Sequence, residues 1–209
     1  MTRRLVAWIL FVGLVSTIAF VSGSPPRNAL YDYSTAVGGA VIYTFFLLVT
    51  LAIARGRFDL LSLRRPHSWP RALGIALPLF IGVYAAIFAL DRVLHGAREQ
   101  GLVPAHWDSR HAGAYAANFA VIAVAAPIVE ETLFRGLGYS LFERFGRWQA
   151  IVAIGLAFGI YHGLPQALPE LALFGCALAW LRSKTGSVFP GMLAHAALNA
   201  IAMTSVFFA

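Results

Sequence analysis

Two adjacent carboxylates and a guanidinium close an apolar run. Glu130-Glu131-Thr132-Leu133-Phe134-Arg135 follows residues 112–129, in which Asn118 is the only strongly polar side chain. Formal charge in a hydrocarbon layer is costly, so ionisable residues placed there mark a candidate functional site. Two later segments carry groups that can join them: Phe158-Gly159-Ile160-Tyr161-His162 and His195-Ala196-Ala197-Leu198-Asn199. A carboxylate beside an imidazole can take a proton from water. A second imidazole and an asparagine amide can donate hydrogen bonds to an oxyanion. Together that is chemistry for hydrolysing an amide or ester. The same residue types, two neutral imidazoles and a carboxylate with an open position, also resemble a catalytic zinc site. Residue types alone leave both readings open.

Spacing divides these groups. His195 and Asn199 are four apart and share a helix face, as do Phe158 and His162. Glu131 and Arg135 are also four apart and can form an ion pair, which neutralises one acid. Glu130 then points about 100° away around the helix. The adjacent acids therefore separate into a supporting acid, Glu131, and a working acid, Glu130.

The elements that must position them are membrane spans. The chain has 209 residues, 59% hydrophobic and 12% charged, against about 25% charged in a typical soluble domain. Its apolar residues fall in long blocks, which predicts an all-α, polytopic transmembrane helix bundle forming one domain over residues 1–209. About seven spans are expected, near residues 5–21, 35–54, 72–90, 113–143, 148–162, 166–181 and 187–207. The first is too long for a signal-peptide core and reads as an uncleaved span. Pro25 and Pro26 make the loop after it, and Pro78 and Pro127 fall inside predicted helices. The segment 58–63 is expected to lie in the membrane interface with its leucines down. Trp69 is expected to anchor the next span at headgroup level.

Arginine placement sets the orientation. Arg3 and Arg4, the run Arg55 to Arg71, Arg144 with Arg147, and Arg182 with Lys184 fall in alternate loops. The loops between them carry Arg27 with Asp32, a balanced segment at 91–111, and residues 163–170. The positive-inside rule puts the N-terminus in the cytoplasm and the C-terminus outside. Counting at about 1.5 Å per residue from the cytoplasmic helix ends, Glu130 lies roughly 20 Å deep, His162 roughly 21 Å, Asn199 roughly 18 Å and His195 roughly 12 Å. Four polar groups on three helices thus share a slab near the membrane centre.

Other readings weigh less. The net charge of +7 follows the loop arginines and forms no separate patch, so no nucleic-acid partner is expected. Cys176, the only cysteine, sits in an apolar helix as a small filler. His95, His106 and His111 match no zinc spacing and read as solvated. The central polar cluster could instead tie helices together or line a transport path. Transporters often show internal repeats with broken helices in matching positions, and no repeat is visible here.

The ordered set Glu130-Glu131-x-x-x-Arg135, Phe158-x-x-x-His162 and His195-x-x-x-Asn199 resembles the CPBP family. This family, also called Abi, comprises type II CAAX prenyl endopeptidases and bacteriocin-processing relatives. The resemblance covers residues 123–202, with Phe134-Arg135-Gly136 and the Thr185-Gly186-Ser187 turn. It implies an intramembrane glutamic endopeptidase in which Glu130 and His162 activate water and His195 and Asn199 hold the oxyanion. Glu131, Arg135 and Phe158 would support the site. It implies no cofactor, with zinc as the alternative, since older descriptions of the family call it a metalloprotease. The implied partners are the lipid bilayer and a membrane-anchored protein or peptide. Roles known in the family include peptide maturation, bacteriocin processing or immunity, and removal of C-terminal sorting tails, as in myxosortases. The arginine- and alanine-rich composition fits a GC-rich bacterial genome, and the expected location is then the cell (inner) membrane.

Overall fold

The computed structural model describes residues 2–24, 26, 28–101, 104 and 106–208. Pro25 and Arg27, both assigned to the first outer loop, lie outside the described residues. Every regular element described is helical. The main helices are α1 (Thr2–Ser22), α2 (Tyr33–Ala54), α3 (Trp69–Leu94), the short α4 (Gly96–Gln100), a composite α5 (Ser109–Phe145), α6 (Arg147–Tyr161), α7 (Leu168–Thr185) and α8 (Phe189–Thr204).

Helices α1, α2, α3 and α5, together with α8 and its extension to Phe207, are long and apolar enough to cross a membrane. In α1, Leu5, Trp8, Val12 and Ser16 are buried at intervals of three and four, making one inward stripe. Leu10, Leu14, Ile18 and Val21 on its other faces are exposed, as are Val41, Phe45 and Leu48 of α2 and Leu77 and Ile81 of α3. An outer surface of this kind matches lipid as solvent, and the chain is a multi-pass membrane protein.

All seven segments predicted as spans are helical, but two differ from the rest. Helix α6 has 15 residues, a rise of about 22 Å against a hydrocarbon core of about 30 Å. Helix α7 has 18 residues and carries Glu170, Arg182 and Lys184. These two form the tightest pair in the bundle, through glycines. A Cβ on Gly155 would collide with the Cys176 sulfur and lie 2.7 Å from the Cys176 backbone nitrogen. One on Gly175 would lie 2.8 Å from the Gly155 carbonyl oxygen. Small residues let membrane helices approach to backbone contact. Cys176 is the half-buried filler of this seam.

The sequence predicts α5 as one long helix over 113–143. It is continuous over Ser109–Phe145 but contains two π-helical stretches, Ala120–Ala125 and Glu131–Gly138. Pro127 gives a reason for the first. In π geometry each carbonyl bonds the N–H five residues on, and Ala126 donates to Val121 in this way. The next acceptor, Ile122, would need a proton from Pro127, which has none. The Asn199 side-chain amide fills that place, 2.9 Å from the Ile122 oxygen. In the second stretch the Trp8 indole donates to the Leu133 carbonyl at 3.0 Å.

The segment after α2 corrects an expectation. Phe58–Leu61 is a 3-10 turn that folds inward instead of lying in the interface with its leucines in lipid. Leu60 and Leu61 are buried, while Phe58 and Leu63 are exposed. Ser140 bonds the Leu60 carbonyl at 2.8 Å. Gly136 has no side chain because the Leu61 backbone occupies that space; a Cβ there would lie 2.5 Å from the Leu61 oxygen. Trp69 starts α3, where the Ser68 hydroxyl caps the helix by accepting from the Arg71 N–H. His95, His106 and His111 are exposed, in keeping with a solvated loop.

Candidate active site

The α-helical piece Ala126–Glu130 lies between the π stretches and ends on the first acid. Glu130 is 3% exposed. Its Oε1 accepts from the Tyr43 hydroxyl of α2 at 3.0 Å and from the Tyr161 hydroxyl of α6 at 3.5 Å. Its Oε2 lies 3.8 Å from Nε2 of His195.

Glu131 is fully buried and turned elsewhere. Its Oε1 is 2.9 Å from Nη1 of Arg135 and 3.1 Å from Nδ1 of His195. The expected i,i+4 pair is present and has a third member that spacing did not indicate. Arg135 is itself fully buried, donates through Nη2 to the Gly175 carbonyl at 3.1 Å, and lies 4.2 Å over the Phe158 ring. Gly191 of α8 makes room for the acid, since a Cβ there would stand 2.8 Å from Glu131 Oε2.

The two imidazoles are held in different ways. His162 places Nδ1 2.7 Å from the Phe158 carbonyl. A carbonyl only accepts, so Nδ1 carries the proton and the neutral ring presents a bare Nε2. His195 has its Nδ1 on Glu131 and directs Nε2 toward Glu130. Phe158 and Phe174 meet the His195 ring edge to face, at 5.8 and 5.1 Å between centroids. Asn199 gives one amide proton to Ile122, and an asparagine has a second to offer.

These groups surround one cavity of about 460 Å³, whose walls include Tyr43, Glu130, Phe158, His162, His195 and Asn199. Glu131 and Arg135 sit behind the wall. The structure therefore brings all four proposed working residues to one space and puts the supporting pair in its backing. Sequence reading gave no role to Tyr43 or Tyr161. Tyr161 at least adjoins His162, whereas Tyr43 meets Glu130 only through the packing of α2 on α5.

Among the described residues, no group of three or more His, Cys, Asp or Glu side chains is disposed to hold a metal ion. Glu131 Oε1 is shared between Arg135 and His195, and the Nδ1 atoms of both histidines are engaged. Of the two adjacent acids, this leaves Glu130 free beside the histidines.

Residues 112–201 match the family model described as type II CAAX prenyl endopeptidase Rce1-like. No curated protein and no solved structure matches the chain. The matched region begins within α5 and ends within α8, so it contains every acid, imidazole and amide of the cavity wall named above and excludes Tyr43.

Proposed function

Because residues 112–201 match the Rce1-like family of type II CAAX prenyl endopeptidases, a family of membrane proteases, we propose that this chain is a glutamic endopeptidase that cleaves a membrane-embedded or membrane-adjacent peptide. The observation that carries this is the grouping of Glu130, His162, His195 and Asn199 on one cavity wall, with Glu131 and Arg135 behind it.

In this mechanism a water sits between Glu130 and the bare Nε2 of His162. These groups take its proton as the oxygen attacks the peptide carbonyl carbon. The C=O electrons move onto oxygen, and the oxyanion is met by the free Asn199 amide proton and by His195 Nε2–H. Donation from Nε2 while Nδ1 faces Glu131 requires a doubly protonated His195 ring. Collapse of the intermediate breaks the C–N bond, and the proton taken from water passes to the leaving amine. Arg135 holds Glu131 at 2.9 Å, and Glu131 keeps the His195 ring in place.

The substrate class is a protein or peptide anchored in the bilayer, in peptide maturation, sorting-tail removal or bacteriocin processing and immunity. The membrane is the bacterial cell membrane, with the N-terminus in the cytoplasm. Reporter fusions near residues 26, 109 and 209 test that topology; a cytoplasmic signal at any of them reverses it.

The enzymatic test follows processing of candidate membrane-anchored peptides by wild type and by Glu130→Gln, His162→Ala, His195→Ala and Asn199→Ala. Glu130→Gln is expected to fold and to be inactive. Asn199→Ala is expected to slow turnover by about 10²–10³ with little change in binding. Wild-type processing by all four variants would leave the cluster a structural role only. The Asn199–Ile122 and Arg135–Gly175 bonds already join helices in that way.

A further inference from the structure

The cavity has a second chemical end. Besides the groups around Glu130, its walls include Asp91 and Glu170, with Tyr84, Phe88 and Gln100 nearby. Glu170 is 1% exposed, and neither carboxylate oxygen has a hydrogen-bond partner. No ion pair reaches it among the described residues. A buried carboxylate without a partner is costly, and this one is not explained by any helix-joining contact. Its surroundings are shaped around it. Gly96 has no side chain where a Cβ would stand 2.7 Å from Glu170 Oε2. Asp91 bonds the Ala97 N–H at 2.7 Å through Oδ1 alone. Nearby charges do not neutralise the pair. Arg92 is exposed and lies over the Phe88 ring, Arg98 is exposed, and Glu99 is occupied by the backbone N–H groups of Gln166 and Ala167.

We propose that Asp91 and Glu170 form a subsite that binds an ammonium or guanidinium group of the peptide substrate. The proposal rests on the endopeptidase reading and adds a specificity determinant to it. Asp91 and Glu170 line the same cavity as Glu130, so the cationic group and the bond cleaved share that space, with the subsite at the start of α7. On the orientation given above it lies toward the outer face.

The test uses the full chain in lipid–detergent micelles, with Glu130→Gln introduced to separate binding from cleavage. The probes are fluorescent, N-acetylated apolar peptides of about 20 residues carrying one Lys, or one Gln, scanned through successive positions. A further peptide has a free amino terminus and no Lys, to distinguish a side chain from a terminal ammonium. In at least one register the cationic peptide is expected to bind about tenfold tighter than its neutral counterpart. That preference is expected to vanish in Glu170→Gln and to shrink in Asp91→Asn. If Glu170→Gln does not fold, Asp91→Asn at its half-exposed position decides. Equal binding of Lys, free-amine and Gln peptides, or a preference that survives the substitutions, overturns the subsite and leaves the endopeptidase reading intact. A charge preference with no cleavage by the wild-type chain removes the endopeptidase reading and leaves the subsite standing. Failure of every peptide to bind overturns both.

Discussion

The Tyr43 hydroxyl donates a 3.0 Å hydrogen bond to Oε1 of Glu130, 87 positions away in sequence. The bond ties a helix outside the family match to the acid proposed to activate water. Tyr43→Phe removes the hydroxyl and keeps a ring that packs edge-on against Phe46. Oε1 of Glu130 is then left with the longer Tyr161 contact alone. A hydrogen bond to a charged group contributes about 1.5–3 kcal/mol, so turnover is expected to fall by about 10- to 100-fold with KM nearly unchanged. Folded yield and thermal midpoint should stay close to wild type. A parallel loss of yield and activity would make Tyr43 a packing residue only.

Glu131→Gln and Arg135→Ala should behave differently from Glu130→Gln. Both partners of the Glu131–Arg135 pair are fully buried, and removal of either leaves a buried charge without compensation, at a cost of about 3–5 kcal/mol. Thermal unfolding in micelles should show a large drop for both. Arg135→Lys should recover little, because Arg135 bonds Glu131 and the Gly175 carbonyl through separate nitrogens. An Arg135→Lys protein as stable as wild type would contradict this account.

Gly155→Ala tests the α6–α7 seam. The added methyl must displace the Cys176 side chain and backbone, and overpacking of this kind costs about 1–3 kcal/mol. Gly13 of α1, where a Cβ would meet nothing within 4 Å, is the control. Gly13→Ala is expected to be neutral or slightly stabilising, since alanine is the better helix former. Similar melting of the two variants would mean that the seam yields easily.

Activity is expected to persist through chelation, and purified active protein is expected to lack stoichiometric zinc. The ground is that Arg135 engages Glu131, which leaves one free carboxylate, and that neither histidine comes from a His-Glu-x-x-His helix. Metal analysis together with chelation and zinc add-back decides it. Stoichiometric zinc, with activity lost and then restored, would establish the metalloprotease alternative.

Much of this architecture is legible in the sequence because the bilayer imposes it. Runs such as Tyr33–Ala54 have few other stable forms, and arginine-rich loops mark their ends. The Glu131–Arg135 pair is equally legible, being set by local helix geometry. What local pattern cannot supply is contact between distant segments. Tyr43 meets Glu130 only because α2 packs on α5, and Leu60 and Leu61 turn inward because Gly136 leaves space for their backbone. The first π stretch is an intermediate case. Pro127 announces a missing N–H, but the sequence does not say that Asn199 will serve the orphaned carbonyl.

That substitution has a mechanical consequence for α5. The two π stretches divide it into three rods: one fixed at Asn118, whose amide holds the Leu30 and Asp32 carbonyls, a middle rod of five residues ending at Glu130, and one fixed at Ser140 against Leu60. At each joint a carbonyl is held by a side chain from another helix, Asn199 on one side and Trp8 on the other. Side-chain links give way more easily than a continuous backbone ladder. The middle rod, with Glu130 at its end, is therefore tied to α8 at one joint and to α1 at the other, so the position of that acid depends on how those two helices pack.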